Sequence, residues 1–267
     1  MCKIFFIIGA PRSGTTAISE ILNTATNAIV YTEQSPKLCI AARMHYEGIL
    51  PYPKEFIYKS KNPHIEETLR QGKIYGDKNP NYLYFIEEIV SIWKCKFVFV
   101  FRDGRDVVRS CMDFHIGRKP GYARYEDTTD SFITQPEEDF WDFSRIRPKV
   151  KSKMRKEWRN MDLFEKFSWG WAEFNRILLK KIKALKKTDC IKININTLTP
   201  KKLKEIFEFL GLKGYREEMI SEKLCSKINT VKIEKNLKFP SWKYWDKELM
   251  EKFNKYAGNM MRKLGYY

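Results

Sequence analysis

Short, unbroken apolar runs alternate along this chain with stretches of helical spacing. Lys3–Ile8 is nearly continuous in apolar residues, the pattern of a strand buried on both faces. Ile18, Ile21, Leu22 and Ala25 then recur at helical intervals. "NAIVYTE" reads as a second strand, and "GKIYGDKNP" holds a third that ends at Asn79-Pro80. "YFIEEIVSIW" has helical i, i+3/i+4 spacing. "CKFVFVFRDGRD" carries the plainest strand, Phe97 to Phe101, broken off by a polar turn, and "DVVRSCMDF" opens a helix. Phe164, Phe167, Trp171, Phe174, Leu178, Ile182 and Leu185 form a long helical stripe expected to pack in the core. "DCIKINI" predicts a fifth strand, and "PKKLKEIFEFLGL" a helix with proline at its start and Gly211 at its end.

The repeated strand–helix order predicts an α/β fold, a P-loop-like three-layer arrangement with a central parallel sheet flanked by helices. Ligands of such sheets sit beyond the carboxyl ends of the strands. "GAPRSGTT", "TEQ", "GDKNP" and "RDGRD" all follow directly on predicted strands. Residues 117–160 interrupt the pattern with turn residues, charges and aromatics. That stretch is too long for a simple connection and reads as a lid or acceptor-binding insertion within one domain spanning 1–267.

The length of 267 residues, 43% of them hydrophobic, suffices for one such domain. The net charge of +17 raises nucleic acid as a partner. Yet the lysines are spread along helical runs such as "LLKKIKALKK", and no nucleic-acid signature stands out, so no nucleic-acid partner is expected. A basic field does suit a polyanionic small molecule or an acidic acceptor. Cys2, Cys39, Cys95, Cys111, Cys190 and Cys225 are widely scattered, which reads as free thiols in a reducing, cytoplasmic setting. No apolar stretch is long enough to span a membrane, and the first apolar run lacks a signal-peptidase site. His45, His64 and His115 lie too far apart to suggest a zinc site, and no metal is expected.

"GAPRSGTT" carries the chemistry. Gly9 and Gly14 keep the spacing of an ATP-binding P-loop and Thr16 keeps its place, but Thr15 stands where the lysine belongs and Arg12 lies inside the loop. Such a strand-to-helix turn offers successive backbone N–H groups and a helix N-terminus to an anion. In nucleotide triphosphatases the lysine and Mg²⁺ offset the dense charge of the β- and γ-phosphates. A loop without that lysine suits a less charged terminal group, such as a phosphate bearing a sulfuryl group. A nucleotide kinase or triphosphatase with a degenerate loop is the alternative. In the second motif, "FVFVFRDGRDVVRS", Arg102 ends a strand and Ser110 follows about two helical turns later, a pair able to clamp a second phosphate.

Together the two stretches resemble the sulfotransferases that use 3′-phosphoadenosine-5′-phosphosulfate (PAPS). The resemblance implies that residues Gly9, Ala10, Pro11, Arg12, Ser13, Gly14, Thr15 and Thr16 hold the 5′-phosphosulfate, and that Arg102 and Ser110 hold the 3′-phosphate. "YTEQ" resembles the loop of the tyrosylprotein sulfotransferases and their relatives that bears a catalytic glutamate, here Glu33. "GDKNP" resembles their lysine-bearing strand end, which makes Lys78 the residue that stabilises the leaving group. Ser226 through Trp242 matches their terminal cofactor loop in spacing, with Ser226 as a further donor to the phosphosulfate, and "MMRKLGYY" resembles the end of that fold. The chain departs from that branch at Ser35 and Phe114, where the tyrosylprotein enzymes have arginines. The implied reaction is sulfuryl transfer from PAPS to a hydroxyl of a protein tyrosine, a carbohydrate, a lipid or a small molecule, with release of PAP.

Overall fold

The computed structural model describes residues 2–33, 37–116, 145–216, 218 and 238–267. Its strands and α-helices, in chain order, are β1 (Ile4–Gly9), α1 (Thr15–Leu22), β2 (Ala28–Thr32), α2 (Lys37–Glu47), α3 (Pro53–Arg70), β3 (Ile74–Lys78), α4 (Ile86–Ile92), β4 (Lys96–Phe101), α5 (Gly104–Ile116), α6 (Met154–Trp158), α7 (Leu163–Ile182), β5 (Cys190–Asn194), α8 (Pro200–Leu210) and α9 (Lys247–Leu264). They pack into two compact units. The first comprises Met1–Ser35, Pro51–Phe101 and Lys180–Thr230, the second Pro36–Leu50, Arg102–Leu179 and Val231–Tyr267.

The first unit is built on a five-stranded sheet of order β2-β3-β1-β4-β5, with every pairing parallel. The central strand, β1, is buried at all six positions, as its unbroken apolar run requires. Side chains alternate across the sheet, and in-register neighbours share a face. On one face Phe5, Ile7, Val30, Val98 and Val100 pack with Ile18, Ile21 and Leu22 of α1 and with Leu203, Ile206, Phe207 and Leu210 of α8. Gly76 of β3 also lies on this face, and a Cβ there would meet the Phe5 ring at 2.3 Å. On the other face Phe6 makes edge-on contact with Tyr82 and stacks on Phe97, while Tyr31 of β2 bonds Thr68 of α3 at 3.2 Å between hydroxyls. The expected α/β architecture, a parallel sheet with helices on both faces, is therefore present.

Local chemistry sets the boundaries. Thr199 caps α8 by accepting from Lys202 N at 3.2 Å, Pro200 occupies its first turn, and Gly211 ends it at φ 74. The helix read in "YFIEEIVSIW" is present as α4, with only Tyr84 and Phe85 belonging instead to the turn before it. Asn79 caps a 3₁₀ turn over Pro80–Phe85, and the α-helix starts only at Ile86.

In the second unit α7 carries the predicted stripe. Phe164, Phe167, Trp171, Phe174 and Leu178 are buried there. Ile182 closes the helix, while Leu185 lies beyond its end and is half-buried. Trp171 lies 6.4 Å from Phe253 of α9, and Phe164 meets Trp245 edge-on at 5.0 Å. Of the predicted insertion at 117–160, residues 117–144 lie outside the described residues. From Arg145 onward the chain contributes to the second unit's interior, with Ile146 and the fully buried Trp158 on α6. No helix among the described residues is long and apolar enough to cross a membrane.

Candidate functional site

Gly9 ends β1, and the chain turns sharply into α1. Ser13 N donates to Ala10 O at 3.0 Å, and Arg12 and Gly14 adopt left-handed backbone at φ 69 and φ 93. Left-handed residues on both sides of Ser13 make a tight strand-to-helix turn, the class of backbone that can gather N–H groups around an anion. For Arg12 the conformation is unfavourable, by about 1–2 kcal/mol for a residue with a side chain. Strain of this kind persists where the surroundings over-determine it, commonly at ligand sites. Gly9 admits no substitute, because a Cβ would lie 2.6 Å from Ser13 Oγ, 2.6 Å from Val100 O and 2.8 Å from Thr15 Cγ2. Ser13 is almost fully buried, and its Oγ has no hydrogen-bond partner among the described residues. A buried hydroxyl without a partner is costly unless a ligand completes it. Helix α1 starts at Thr15 with no side-chain cap and no acid in its first turn, so its N-terminal N–H groups face no competing carboxylate of their own helix.

The ends of β2 and β3 meet beside this loop. Lys78 is in register with both Ile7 and Thr32, so it lies on the face that carries α1. Glu33 N donates to Lys78 O at 3.0 Å, and Lys78 Nζ donates to Glu33 Oε1 in an ion pair. The lysine side chain is 6% exposed and the carboxylate 19%, so the glutamate is the member that reaches solvent. Glu33 is a second left-handed residue with a side chain, at φ 52. Ser19 on α1 ties the loop to this corner, with its Oγ bonded to Thr16 O at 2.8 Å and to Thr32 Oγ1 at 3.2 Å. The loop residues Gly9 to Thr16, Glu33 and Lys78 are thus brought together within the first unit.

Arg102 and Ser110 belong to the second unit. Arg102 directly follows β4, and its Nε lies 4.0 Å from Asp106 Oδ2. Ser110 is half-buried on α5. The same helix carries two residues that the sequence reading passed over. Arg105 donates from Nε and Nη2 to Asp103, bonds Tyr266 O at 3.2 Å, and lies 3.8 Å above the Trp242 ring. Asp113 accepts from Phe239 N at 2.8 Å and pairs with Arg109 at 3.3 Å. The signal for Arg105 was the charge density of "RDGRDVVRS"; Asp113 lies past that motif, in "CMDF", and had no such signal. Ser226 lies outside the described residues, as do Gln34–Pro36. No group of three His, Cys, Asp or Glu suited to a metal ion occurs among the described residues.

Comparison with known proteins gives a family. Residues 3–145 match the model of the sulfotransferase domain. No curated protein matches the chain. Among solved structures, mouse sulfotransferase SULT7A1 complexed with PAP is 17% identical, over 98% of this chain and 84% of that one, with a TM-score of 0.49. The sulfotransferase domain of the Synechococcus PCC 7002 olefin synthase is 13% identical over 94% and 86%, with a TM-score of 0.47. The sulfotransferase domain from the curacin biosynthetic pathway is 13% identical over 100% and 99%, with a TM-score of 0.49. The domain match takes in the Gly9–Thr16 loop, Glu33, Lys78 and the Arg102 motif in a single stretch that exceeds half the chain, and on that match the chain belongs to the sulfotransferase family.

Proposed function

We propose that this sulfotransferase uses PAPS as donor and transfers its sulfuryl group to a hydroxyl acceptor, releasing PAP. The observation that carries the reading is the loop itself: left-handed residues on both sides of a buried Ser13 whose Oγ has no hydrogen-bond partner among the described residues, with Thr15 in place of the P-loop lysine. These features fit a phosphosulfate. At Gly9 the loop packs against Ser13, Thr15 and Val100 too closely for any Cβ, and the loop's donors are N–H and O–H groups with one arginine. Gly9 to Thr16 would hold the 5′-phosphosulfate, with Arg12 supplying positive charge. Arg102 and Ser110 are assigned the 3′-phosphate from their motif, and Ser226 a supporting contact from the same resemblance.

When bound, the donor would supply the sulfuryl group. The chain's own part is to orient, to move one proton and to meet developing charge. Glu33 would accept the proton of the acceptor hydroxyl as its oxygen bonds to sulfur. Lys78 would donate to the bridging oxygen as its bond to sulfur breaks. These two groups bond to each other in the structure. Each must therefore change partner for the reaction, Lys78 toward the donor and Glu33 toward the acceptor. The acceptor is a hydroxyl of a protein tyrosine, a carbohydrate, a lipid or a small molecule. The described cysteines Cys2, Cys39, Cys95, Cys111 and Cys190 are all free, which supports a reducing, cytoplasmic setting.

Thermal-shift measurement with PAP, ATP–Mg²⁺ and RNA tests the donor. A ligand of the native state at 100 times its Kd adds about 2.7 kcal/mol of stability, and PAP alone is expected to do so. A shift with ATP–Mg²⁺ and none with PAP would overturn the assignment. Transfer of radiolabelled sulfate from PAPS onto pooled acceptors then identifies the acceptor class.

Two further results are expected. PAP should bind with the same Kd with and without EDTA in isothermal titration, because the loop brings its own cation in Arg12. A large loss with EDTA would point to a metal-bridged nucleotide. Arg102→Ala should weaken binding of adenosine 3′,5′-bisphosphate by about 10- to 150-fold, the equivalent of roughly 1.5–3 kcal/mol for a charge-assisted hydrogen bond. Ser110→Ala should act in the same direction and less strongly, and neither should change binding of adenosine 5′-monophosphate. Equal weakening of both ligands would remove the 3′-phosphate assignment.

A further inference from the structure

Behind Lys78, on the opposite face of β3, lies a charged cluster sealed from solvent. Lys61 Nζ of α3 donates to Asp77 Oδ2 at 2.8 Å, and both side chains are 0% exposed. The same oxygen accepts from Tyr75 OH at 2.7 Å and from Tyr82 OH at 2.6 Å. Burial, and next the Asp77 carboxylate, raise both phenols well above their ordinary range, so both remain O–H donors. All three donors converge on Oδ2, while Asp77 Oδ1 is buried with no hydrogen-bond partner among the described residues.

This arrangement is a poor device for stability. Replacing a buried ion pair with apolar residues of similar volume is often neutral or stabilising, and an orphaned carboxylate oxygen adds a desolvation penalty. What the cluster does supply is location. It ties a helix (Lys61), a strand (Tyr75) and the following 3₁₀ turn (Tyr82) to one atom of the residue that precedes Lys78. The residue after Lys78 is fixed as well: Asn79 N donates to Ile7 O at 3.3 Å, and Asn79 Oδ1 accepts from Asn81 N at 2.9 Å.

We propose that the Lys61–Asp77 pair, with Tyr75 and Tyr82, is a positioning device that holds the backbone of Lys78 so that its ammonium is presented at the Glu33 corner. None of the four touches the reacting groups in this scheme; they act through Lys78. The catalytic consequence rests on the reading of Lys78 as the leaving-group residue. The positional claim does not.

The test is Lys61→Met/Asp77→Asn, which removes both charges and keeps an acceptor for the two phenols. Lys61→Met alone strands a buried carboxylate and should lower Tm by about 6–20 °C. The double variant should recover to within about 5 °C of the native protein. Lys78 acetylation by acetic anhydride, followed by mass spectrometry without ligand, should still be at least about fivefold faster in the double variant. With PAPS and an acceptor, kcat should fall by about 10- to 100-fold, the scale of a 1 Å misplacement, while the Kd for PAP stays within about threefold. In a Lys78→Ala background the two substitutions should lower kcat no further. Unchanged Lys78 labelling with unchanged kcat would overturn the proposal, as would an additional loss in the Lys78→Ala background. If the native protein neither binds PAP nor transfers sulfate, the donor reading fails, and the labelling rate still decides the positional claim. Should the double variant not fold, Tyr82→Phe removes one of the three donors and keeps the packing. It is expected to raise Lys78 labelling by about two- to fivefold, and unchanged labelling would overturn the proposal.

Discussion

Glu33→Gln should lower kcat by about 10²–10⁴-fold, the usual range for loss of a general base, while affinity for PAP holds or rises. A carboxylate beside an anion-binding loop repels the donor, so its useful partner is the acceptor hydroxyl. The substitution suits the local geometry. Glutamine keeps an oxygen that can accept from Lys78 Nζ, and the backbone bond from residue 33 N to Lys78 O is unaffected. The left-handed φ of 52 is also compatible with an amide side chain of similar shape. Steady-state turnover and a PAP titration on the same variant make the comparison. Near-native turnover would return Glu33 to a structural role as the ion-pair partner of Lys78. Loss of PAP binding would show instead that the change had disturbed the loop.

Lys78→Met should cost about 10²–10³-fold in kcat, the effect of removing one charge-stabilising donor aimed at the reacting centre. Lys78→Arg should fall by no more than about tenfold, because the charge is kept and only its reach and shape change. Stability should fall little in Lys78→Met, since the Glu33 carboxylate left behind is partly exposed and can hydrate. Equal turnover in Lys78→Met and the native protein would eliminate Lys78 as the leaving-group residue. A large fall in Tm with unchanged turnover would reassign it to structural work at the end of β3.

Two of the five strands and the loop were readable because a parallel strand buried on both faces has almost no polar interruptions, while β2, β3 and β5 were found from shorter apolar runs bounded by turn residues. β1 and β4 are such strands, and their ends locate Gly9 and Arg102 without ambiguity. Helix α3 was not readable. Its buried face is Ile57, Lys61, Ile65 and Thr68, so half of the stripe that should announce a helix is polar. The helix also contains Pro63, which argues locally against one. The Glu33–Lys78 pair was readable as two candidate residues and unreadable as a contact. That contact depends on the β2–β3 register, and a one-residue slip would put Lys78 on the opposite face. Asp77 was visible in "GDKNP", but its meaning depends on a lysine sixteen residues earlier in the chain, and nothing in the local pattern links the two.

The all-parallel sheet also bears on how the protein folds. Among the described residues it contains no hairpin, so each of its strand pairings must close a long loop before any contact repays the lost chain entropy, and folding on the slower side of the usual range is expected. The closures are unequal. Pairing β2 with β3, which brings Ala28 to Ile74, closes a loop about half as long as pairing β1 with β4, which brings Phe5 to Lys96. Halving a loop lowers the entropic cost of closure by about 0.6 kcal/mol. By that term alone, the first two strands to meet are the pair whose ends carry Glu33 and Lys78, so the corner assigned to proton transfer and leaving-group charge would take shape before the central strand has both its neighbours.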